Sequence, residues 1–359
     1  MGDFCTFVFQ IYLASMKNPV VKRKHIFLIL LTLIIALSGG FIYYTLHFST
    51  FTVKKPVIVY VDEQKDYEAF LVQLQSETQL KNPLLFDFFA RKMKYPATMK
   101  TGKYEIRPGM SYLETIRMLR NGQQTPIKLT FNNIRLKADL IERIGQQMMF
   151  SPDDLLSRLN DPAVAASYDL DTATILTLFI PNTYEIYWNT SAGKFLERMK
   201  KEHDRFWNAE RLSKAQALRL NPVEVTILAS IVEEETAARQ EYPIVAGLYL
   251  NRLKKGMLLQ ADPTVKFAAG DVTLRRILNV HTQIDSPYNT YKYSGLPPGP
   301  IRIPSIPAID AVLNYSEHNY LYMCAKEDFS GKHNFAVTLA EHNRNAQRYR
   351  EALNRLGIR

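Results

Sequence analysis

The sequence predicts an α+β protein with one transmembrane helix near its N-terminus, a small α+β subdomain and a larger mixed α+β region. Three observations lead to this expectation. Residues 26–46 are almost wholly apolar, the chain after them alternates β-branched stretches with amphipathic ones, and the part from Gln260 onward is rich in Pro, Gly, Asn and Tyr. A chain of 359 residues with 47% hydrophobic and 22% charged residues is long enough for two domains with cores.

The apolar segment is predicted to cross a membrane once. No Asp, Glu, Lys or Arg occurs from residue 25 to residue 53, and the stretch 26–46 meets the ~20 residues that span a ~30 Å hydrocarbon layer. Four basic residues precede it: Lys17, Lys22, Arg23 and Lys24. Basic residues favour the cytoplasmic side. We therefore expect a cytoplasmic tail at 1–25, with Met16 as an alternative start, and the rest of the chain outside the cytoplasmic (inner) membrane.

Residues 54–125 are expected to form the small subdomain. The stretch 56–61 is a strand signal, two amphipathic helices follow at 66–77 and 83–93, and 101–123 reads as strand, turn and helix. Ser111 and Glu114 fit a helix-capping box. The segment "YEIRPGMSYLETI" is similar to the opening of LysM-type glycan-binding modules, with Met-Ser in place of the usual Asp-Thr. A plain α+β adaptor is the alternative.

Residues 126–359 are expected to form the functional domain. A strand at 126–131 is followed by helices as far as about Leu220, interrupted by the aromatic stretch 179–189. Asn221 and Pro222 then fit the cap and first position of another helix. The Pro- and Tyr-rich loops beyond it are where binding groups concentrate in many proteins.

Charge and cysteine content narrow the possible functions. The formal net charge of +10 and pI near 9.3 suit an anionic partner, but the basic residues are scattered and form no pattern typical of nucleic-acid binding. The two cysteines, Cys5 and Cys324, make no disulfide framework and no zinc spacing. We expect no nucleic-acid partner, no metal and no cofactor.

The stretch "ILASIVEEETAAR" (227–239) contains the candidate catalytic residue. At about 100° per residue, Glu235 falls on the face occupied by the isoleucines and valines, Glu234 falls at its border, and Glu233 faces away. A carboxyl on an apolar face has a raised pKa, which suits a general acid. The alternatives are that the helix end exposes Glu235 or that Arg239 pairs with it.

Five further stretches follow in order: "QADPTV" (260–265), "SPYNTY" (286–291), "SGLPPGPI" (294–301), "HNF" (333–335) and "AEHN" (340–343). Together with "LASIVEEETA" and "FIPNTYEI" they resemble the YceG-like (MltG) family of endolytic murein transglycosylases. In that family the acid is the glutamate directly before the threonine, here Glu235. The resemblance covers essentially the whole chain after the anchor, with Asn182 where the family usually has Asp.

The resemblance implies a reaction and its partners. The β-1,4 bond between N-acetylmuramic acid and N-acetylglucosamine in nascent peptidoglycan would be cleaved, with the muramyl 6-hydroxyl closing onto the anomeric carbon to give a 1,6-anhydro end. Glu235 would serve first as acid and then as base, so no second carboxylate is required. The expected partners are glycan strands and the penicillin-binding proteins that synthesise them, and the expected role is to terminate strand elongation.

The other motifs of the resemblance are interpreted as walls of a substrate groove. They contribute polar groups for sugar hydroxyls, aromatic faces for sugar rings and stiff backbone: Gln260, Asp262, Thr264, Tyr288, Asn289, Thr290, Tyr291, Gly295, Leu296, Pro297 and His333. Alternatively, these are turn residues that pack a loop, and Asp262 caps the turn that begins at Pro263.

Two other functions stay open. A non-catalytic anchor could bind the cell wall without cutting it, in which case Glu235 need not share a cleft with Tyr288, Tyr291 and Gln260. A muramidase could use water and leave reducing ends, since one buried acid serves either route; only the resemblance favours the transglycosylase.

Overall fold

The computed structural model describes residues 19–47, 51–271, 273–274 and 277–356. The chain divides into two compact units between Pro126 and Ile127. Residues 1–18 of the expected cytoplasmic tail, with the alternative start Met16 and the basic Lys17, lie outside the described residues.

The N-terminal unit begins with one long helix. Helix α1 (Pro19–His47) is longer than the predicted 26–46 because helical backbone continues into the basic segment before it. Among the described residues it is the one helix long and apolar enough to cross a membrane, over Arg23–Tyr44.

The rest of this unit is a two-stranded antiparallel sheet with three helices. Strand β1 (Val57–Val61) pairs with β2 (Gly102–Ile106), so that Val59 lies opposite Tyr104. The helices are α2 (Tyr67–Thr78), α3 (Pro83–Lys92) and α4 (Tyr112–Asn121), with a short 3₁₀ turn at Pro96–Thr98. The predicted strands and helices are confirmed; the likeness to a LysM module stays a prediction.

Polar caps start each of these helices. Asp66, Asn82 and Ser111 accept backbone N–H groups of the first turns of α2, α3 and α4. The predicted cap at Ser111 is confirmed, with a 3.2 Å bond from the Glu114 amide. Alternate strand residues and the inner helix faces form one apolar core that includes Phe86, Tyr104 and Ile116.

The second unit contains two cores. The first is built on strands β3 (Ile127–Phe131) and β4 (Asn182–Ile186), which pair antiparallel with Leu129 opposite Tyr184. A 3₁₀ turn at Ile175–Leu178 precedes β4. Five helices belong to this part of the chain: α5 (Lys137–Gly145), α6 (Pro152–Asn160), α7 (Pro162–Ala166), α8 (Ala192–Phe206) and α9 (Ala209–Ala217).

The second core of this unit surrounds helix α10 (Pro222–Glu235). The elements that follow are a 3₁₀ turn at Arg239–Glu241, α11 (Tyr242–Lys254), α12 (Asp262–Ala268), α13 (Asn279–Thr282), α14 (Ile306–Leu313), β5 (Tyr322–Ala325), β6 (His333–Ala336) and α15 (Leu339–Arg355). Strands β5 and β6 are antiparallel neighbours. The described chain is therefore a mixed helix-and-sheet protein, as predicted.

Helix α10 is buried on every side over most of its length. The Asn221 side chain accepts the Glu224 amide at 2.9 Å, and the Glu224 carboxylate accepts the Asn221 amide at 2.8 Å, so the predicted cap is confirmed. Residues Val225–Val232 are all buried, which is typical of a helix at the centre of a domain. The helix ends at Glu235 because Thr236 adopts an extended backbone with φ −141°.

Helix α11 passes very close to the chain after α14. At Gly247 any side chain would overlap the Ser316 carbonyl and the His318 ring. The His318 Nε2 atom lies 2.9 Å from the Ile244 carbonyl. A residue without a Cβ therefore lets α11 approach this segment.

Candidate active site

The three adjacent glutamates at the end of α10 have different surroundings. The Glu233 carboxylate accepts the Ser305 amide at 2.7 Å, and its side chain is only 10% exposed. The Glu234 carboxylate accepts Arg302 Nη1 at 2.6 Å and Arg135 Nε at 3.1 Å. Two of the three carboxylates therefore bind neighbouring segments of the unit.

The expectation that Glu233 faces away from the protein is wrong. Rotation about α10 places it away from the apolar face, but the segment Arg302–Ser305 packs on that side and covers it. Sequence periodicity describes one helix alone and cannot show a second segment that covers its polar side.

Glu235 points into a cleft of about 510 Å³. Its Oε1 accepts a hydrogen bond from the hydroxyl of Tyr249 on α11, a side chain that is only 1% exposed. Its hydrogen-bond partner is thus Tyr249 and not Arg239, which lies exposed in the following 3₁₀ turn. The cleft is lined by residues of α10, α11, α12, β5, β6 and α15.

Burial raises the pKa of Glu235 to about 7. The charge of Asp262 acts in the same direction, while the hydrogen bond from Tyr249 and the positive charges of Lys266 and Arg252 oppose it. Desolvation of the charged form is the largest cause. A carboxyl with this pKa exists in both protonation states near neutral pH, so it can give a proton and take one back.

Arg252 holds one wall of the cleft together. Its guanidinium donates to the carbonyls of Leu321 at 2.6 Å and Leu259 at 2.9 Å, and to the side-chain oxygen of Gln260 at 3.3 Å. The Gln260 backbone has a φ of +50°, a conformation that is uncommon for residues other than glycine. These bonds connect α11 to the segment before α12 and to the residue directly before β5, and they place the Gln260 side chain at the cleft.

Asp262 and Tyr291 form a pair at the same wall. The Tyr291 hydroxyl donates to Asp262 Oδ1 at 2.6 Å, and both residues line the cleft with Glu235. Asp262 is the first residue of α12, and the residue at the cap position is Ala261, which makes no side-chain capping bond. The carboxylate of Asp262 thus faces the cleft instead of capping the turn.

Three of the predicted groove residues are fully buried. Thr264 and Thr290 bond each other through their hydroxyl groups at 2.8 Å, and the Thr290 hydroxyl also accepts the Ala261 amide at 3.0 Å. The side-chain amide of Asn289 donates to the Ile284 carbonyl at 2.8 Å. These polar groups are satisfied inside the protein, where they fix the loop 284–291 against the start of α12.

His333 reaches the cleft from β6 and is fixed by a buried glutamate. Its Nδ1 lies 2.9 Å from Glu241 Oε2, and its backbone amide donates to Glu241 Oε1 at 2.9 Å. The hydroxyl of Thr236, directly after Glu235, donates to the same carboxylate at 3.0 Å. Glu241 therefore links the residue after the acid to the opposite wall.

The remaining predicted groove residues do not line this cleft. Tyr288 packs on Phe267 with ring centroids 4.7 Å apart. Leu296 is partly buried against the core around α10, Pro297 is buried, and Gly295 has a φ of +85°. Of the predicted site residues, the cleft brings together Glu235, Gln260, Asp262, Tyr291 and His333.

Sequence reasoning did not select several residues that line the cleft or position its groups. They are Tyr249, Arg252, Lys266, Tyr322 and His342, with Glu241 behind His333. The stretch "AEHN" contains His342, but only the three-dimensional contacts place its ring against Tyr322, at a centroid distance of 5.5 Å. Among the residues that the structure describes, no group of three or more His, Cys, Asp or Glu side chains could hold a metal ion.

Known proteins resemble this chain along most of its length. Curated relatives from two strains of Streptococcus pneumoniae, each named endolytic murein transglycosylase, are 26% identical over 322 residues, which covers 81% of this chain and 58% of the relative. A Bacillus subtilis relative of the same name is 27% identical over 312 residues, covering 82% and 85%. The chain thus spans 58% of the length of the pneumococcal relatives.

A solved structure and a family profile agree with these relatives. The 2.6 Å crystal structure of a yceG-like protein from Listeria monocytogenes superposes with a TM-score of 0.53 at 26% identity, covering 81% of this chain and 99% of that one. The profile of the YceG-like family matches residues 59–348, from β1 to α15. Because that match includes the glutamate, its tyrosine partner and every wall of the cleft, this chain belongs to the YceG-like family.

Proposed function

We propose that this protein is a membrane-anchored endolytic lytic transglycosylase of peptidoglycan. The observation that supports this most is Glu235, a carboxyl with a pKa of about 7 at the end of a buried helix, facing an open cleft. Its curated relatives carry the name endolytic murein transglycosylase. The substrate is the β-1,4 bond between N-acetylmuramic acid and N-acetylglucosamine in nascent strands.

The chemistry follows from one carboxyl used twice. Protonated Glu235 donates its proton to the glycosidic oxygen as the bond to the anomeric carbon breaks and an oxocarbenium-like centre forms. The 6-hydroxyl of the same muramyl residue then bonds to that carbon and gives its proton to the Glu235 carboxylate. The products are a 1,6-anhydro end and a free 4-hydroxyl on N-acetylglucosamine, and the glutamate is again protonated.

Tyr249 determines which carboxyl oxygen acts. Because its hydroxyl donates to Oε1, the acidic proton belongs on Oε2, the oxygen free to reach the substrate. Gln260, Asp262, Tyr291 and His333 contact the sugars in the cleft.

The other predicted groove residues act around this cleft. Thr264, Asn289 and Thr290 hold its loop in shape. Tyr288, Gly295 and Leu296, which are partly exposed, extend the binding surface beyond the cleft, and the buried Pro297 holds the backbone of that loop.

The proposed position in the cell rests on α1, which is long and apolar enough to cross a membrane, and on the basic residues before it. Anchored in the cytoplasmic membrane with the catalytic unit outside, the enzyme meets strands as the penicillin-binding proteins make them, and its cuts terminate their elongation. The LysM-like subdomain is a candidate second contact with glycan.

The two alternatives differ in what they require of the cleft. A non-catalytic wall-binding anchor has no need for an acid with a pKa of about 7, and Glu235 does line the cleft with Gln260 and Tyr291, although not with Tyr288. A water-using muramidase would employ the same acid. The name of the curated relatives favours the transglycosylase.

Mass spectrometry of uncrosslinked glycan strands tests the proposal. Strands are incubated with the full chain in detergent, with Glu235→Gln, and with Glu185→Gln, which changes an exposed glutamate on β4. Internal fragments with 1,6-anhydro ends are expected from the parent and the Glu185 variant but not from Glu235→Gln. Reducing ends would assign a muramidase, and intact strands that still bind the protein would assign the wall-binding anchor.

A further inference from the structure

Helix α3 exposes two apolar residues, with a lysine in its last turn and another lysine just before its cap. Leu84 is 84% exposed and Phe88 is 57% exposed. Residues four apart on a helix share one face, so Leu84, Phe88 and Lys92 form a line, and Lys81 directly precedes the helix cap Asn82. We call these four residues the α3 stripe.

The chain that follows α1 is hydrogen-bonded to the residues directly before this stripe. Phe51 forms an isolated antiparallel bridge with Leu80, and the Thr52 hydroxyl donates to the Gln79 carbonyl at 3.0 Å. Phe51 is itself buried in the core of the unit. The segment just before α3 is therefore bound to the first residues that follow the anchor.

The distance from the bilayer to this point is limited by covalent geometry. The apolar stretch of α1 ends at Tyr44 and the helix at His47, a rise of about 5 Å. Four residue steps from His47 to Phe51 reach at most about 14 Å, and a bridge partner lies about 5 Å away. Leu80, the residue directly before Lys81, is therefore within about 24 Å of the end of the apolar stretch.

The charges around the stripe suit a surface of anionic headgroups. Lys81 and Lys92 are exposed at its two ends. The one acidic residue of α3, Asp87, is engaged elsewhere: it accepts the Tyr67 hydroxyl at 2.9 Å and Arg91 Nε at 2.8 Å. Apolar side chains flanked by lysines are the pattern by which a helix lies in a membrane interface, with the apolar groups inserted and the ammonium groups at the phosphates.

We propose that the α3 stripe is a second contact with the membrane, in which Leu84 and Phe88 enter the interface and Lys81 and Lys92 bind anionic lipid headgroups. The proposal rests on the proposed anchoring of α1 in the same bilayer. The contact would hold the N-terminal unit against the membrane surface.

Fluorescence quenching by lipid tests the proposal in the full chain. The chain is reconstituted in vesicles containing lipids brominated near the headgroup, with either phosphatidylglycerol or only phosphatidylcholine. Leu84→Trp places a reporter in the stripe. Val72→Trp is the matched control, because Val72 is 67% exposed on α2 and has no lysine in its stripe. The parent chain gives the background of Trp188 and Trp207.

In phosphatidylglycerol vesicles we expect lipid quenching of the Leu84→Trp reporter to be about twofold or more above that of Val72→Trp. Lys81→Glu with Lys92→Glu, added to Leu84→Trp, should remove the difference. Lys201→Glu with Lys255→Glu changes the net charge equally at exposed sites of the other unit and should leave it. Equal quenching at both tryptophans overturns the proposal. So does a tryptophan at position 84 that is shielded from aqueous quencher but not quenched by lipid, since protein and not lipid would then cover the stripe.

Alkaline carbonate extraction of the same vesicles separates the two hypotheses. Release of the protein would overturn the anchoring by α1 and with it the second contact. Retention together with equal quenching at positions 84 and 72 would leave the anchor intact and overturn the α3 contact alone.

Discussion

At the scale of single residues, burial raises the pKa of the Glu235 carboxyl, and one hydrogen bond, from Tyr249, lowers it in part. With this pKa at about 7, the protonated form that the proposed reaction requires is lost as the pH rises. We expect the rate of strand cleavage to fall about tenfold per pH unit above that value. Initial rates measured from pH 5 to pH 9 would show this limb, and a rate that is flat up to pH 9 would contradict it.

The same pKa predicts how Glu235 affects stability. A carboxyl whose pKa is higher in the folded than in the unfolded chain, about 7 against 4.5, makes the protein less stable as the pH rises between those values. Glu235→Gln should therefore stabilise the protein at pH 8 by about 1–3 kcal/mol and change it little at pH 4. Urea unfolding at both pH values measures this, and equal effects at the two would refute it.

Substitution of Tyr249 should shift the pH above which the cleavage rate falls. Its hydroxyl stabilises the charged form of Glu235, so Tyr249→Phe is expected to raise that pKa and shift the limb upward by about one pH unit. The carboxyl is then less well oriented, so kcat should fall as well. Tyr242→Phe, at a buried tyrosine on the same helix, is the control and should leave the limb in place; a limb that Tyr249→Phe does not move would exclude this role.

At the scale of elements, the end of α10 is fixed by buried charges. Arg302 lies between the carboxylates of Glu233 and Glu234, and its Nη2 donates to Asn133 at 2.6 Å. Arg302→Met would leave the buried Glu233 carboxylate without a cation and Glu234 with Arg135 alone, and breaking a buried pair in this way typically costs about 3–5 kcal/mol. Chemical denaturation should show this loss, while Arg239→Gln at an exposed site should change stability by less than about 0.5 kcal/mol.

Elements whose signals are local could be predicted from the sequence. The caps at Ser111 and Asn221 depend on residues three positions apart, and the orientation of Glu235 follows from the period of one helix. The partner of Glu235 could not be predicted in this way. Tyr249 lies on the next helix, and only the packing of α11 beside α10 brings the two side chains together.

The same reason explains why Glu241 was missed and why some groove residues occupy unexpected positions. A glutamate in a short polar stretch gives no signal that it will bind the backbone and ring of His333, 92 residues later. Thr264 and Thr290 were selected for their hydroxyl groups, but the sequence cannot show that these groups bond each other.

At the scale of the whole molecule, the anchor should decide which strands are cut. A chain that begins at Phe51 should cleave purified strands in solution at nearly the parental rate. On lipid-linked strands in vesicles we expect about a tenfold loss, because tethering raises the local concentration of enzyme and substrate. An unrelated apolar helix in place of α1 should restore the rate, and equal cleavage of lipid-linked strands without any anchor would refute this role.

The close passage at Gly247 has a consequence for how the gene can vary. This position touches no sugar in the proposed reaction, but a single added methyl group would push α11 away from the Ser316 carbonyl. Tyr249 and Arg252 follow on that same helix. In a saturation library selected for activity, alanine at position 247 should therefore be depleted together with substitutions of Glu235, so a map of intolerant codons would extend well beyond the residues that meet the substrate.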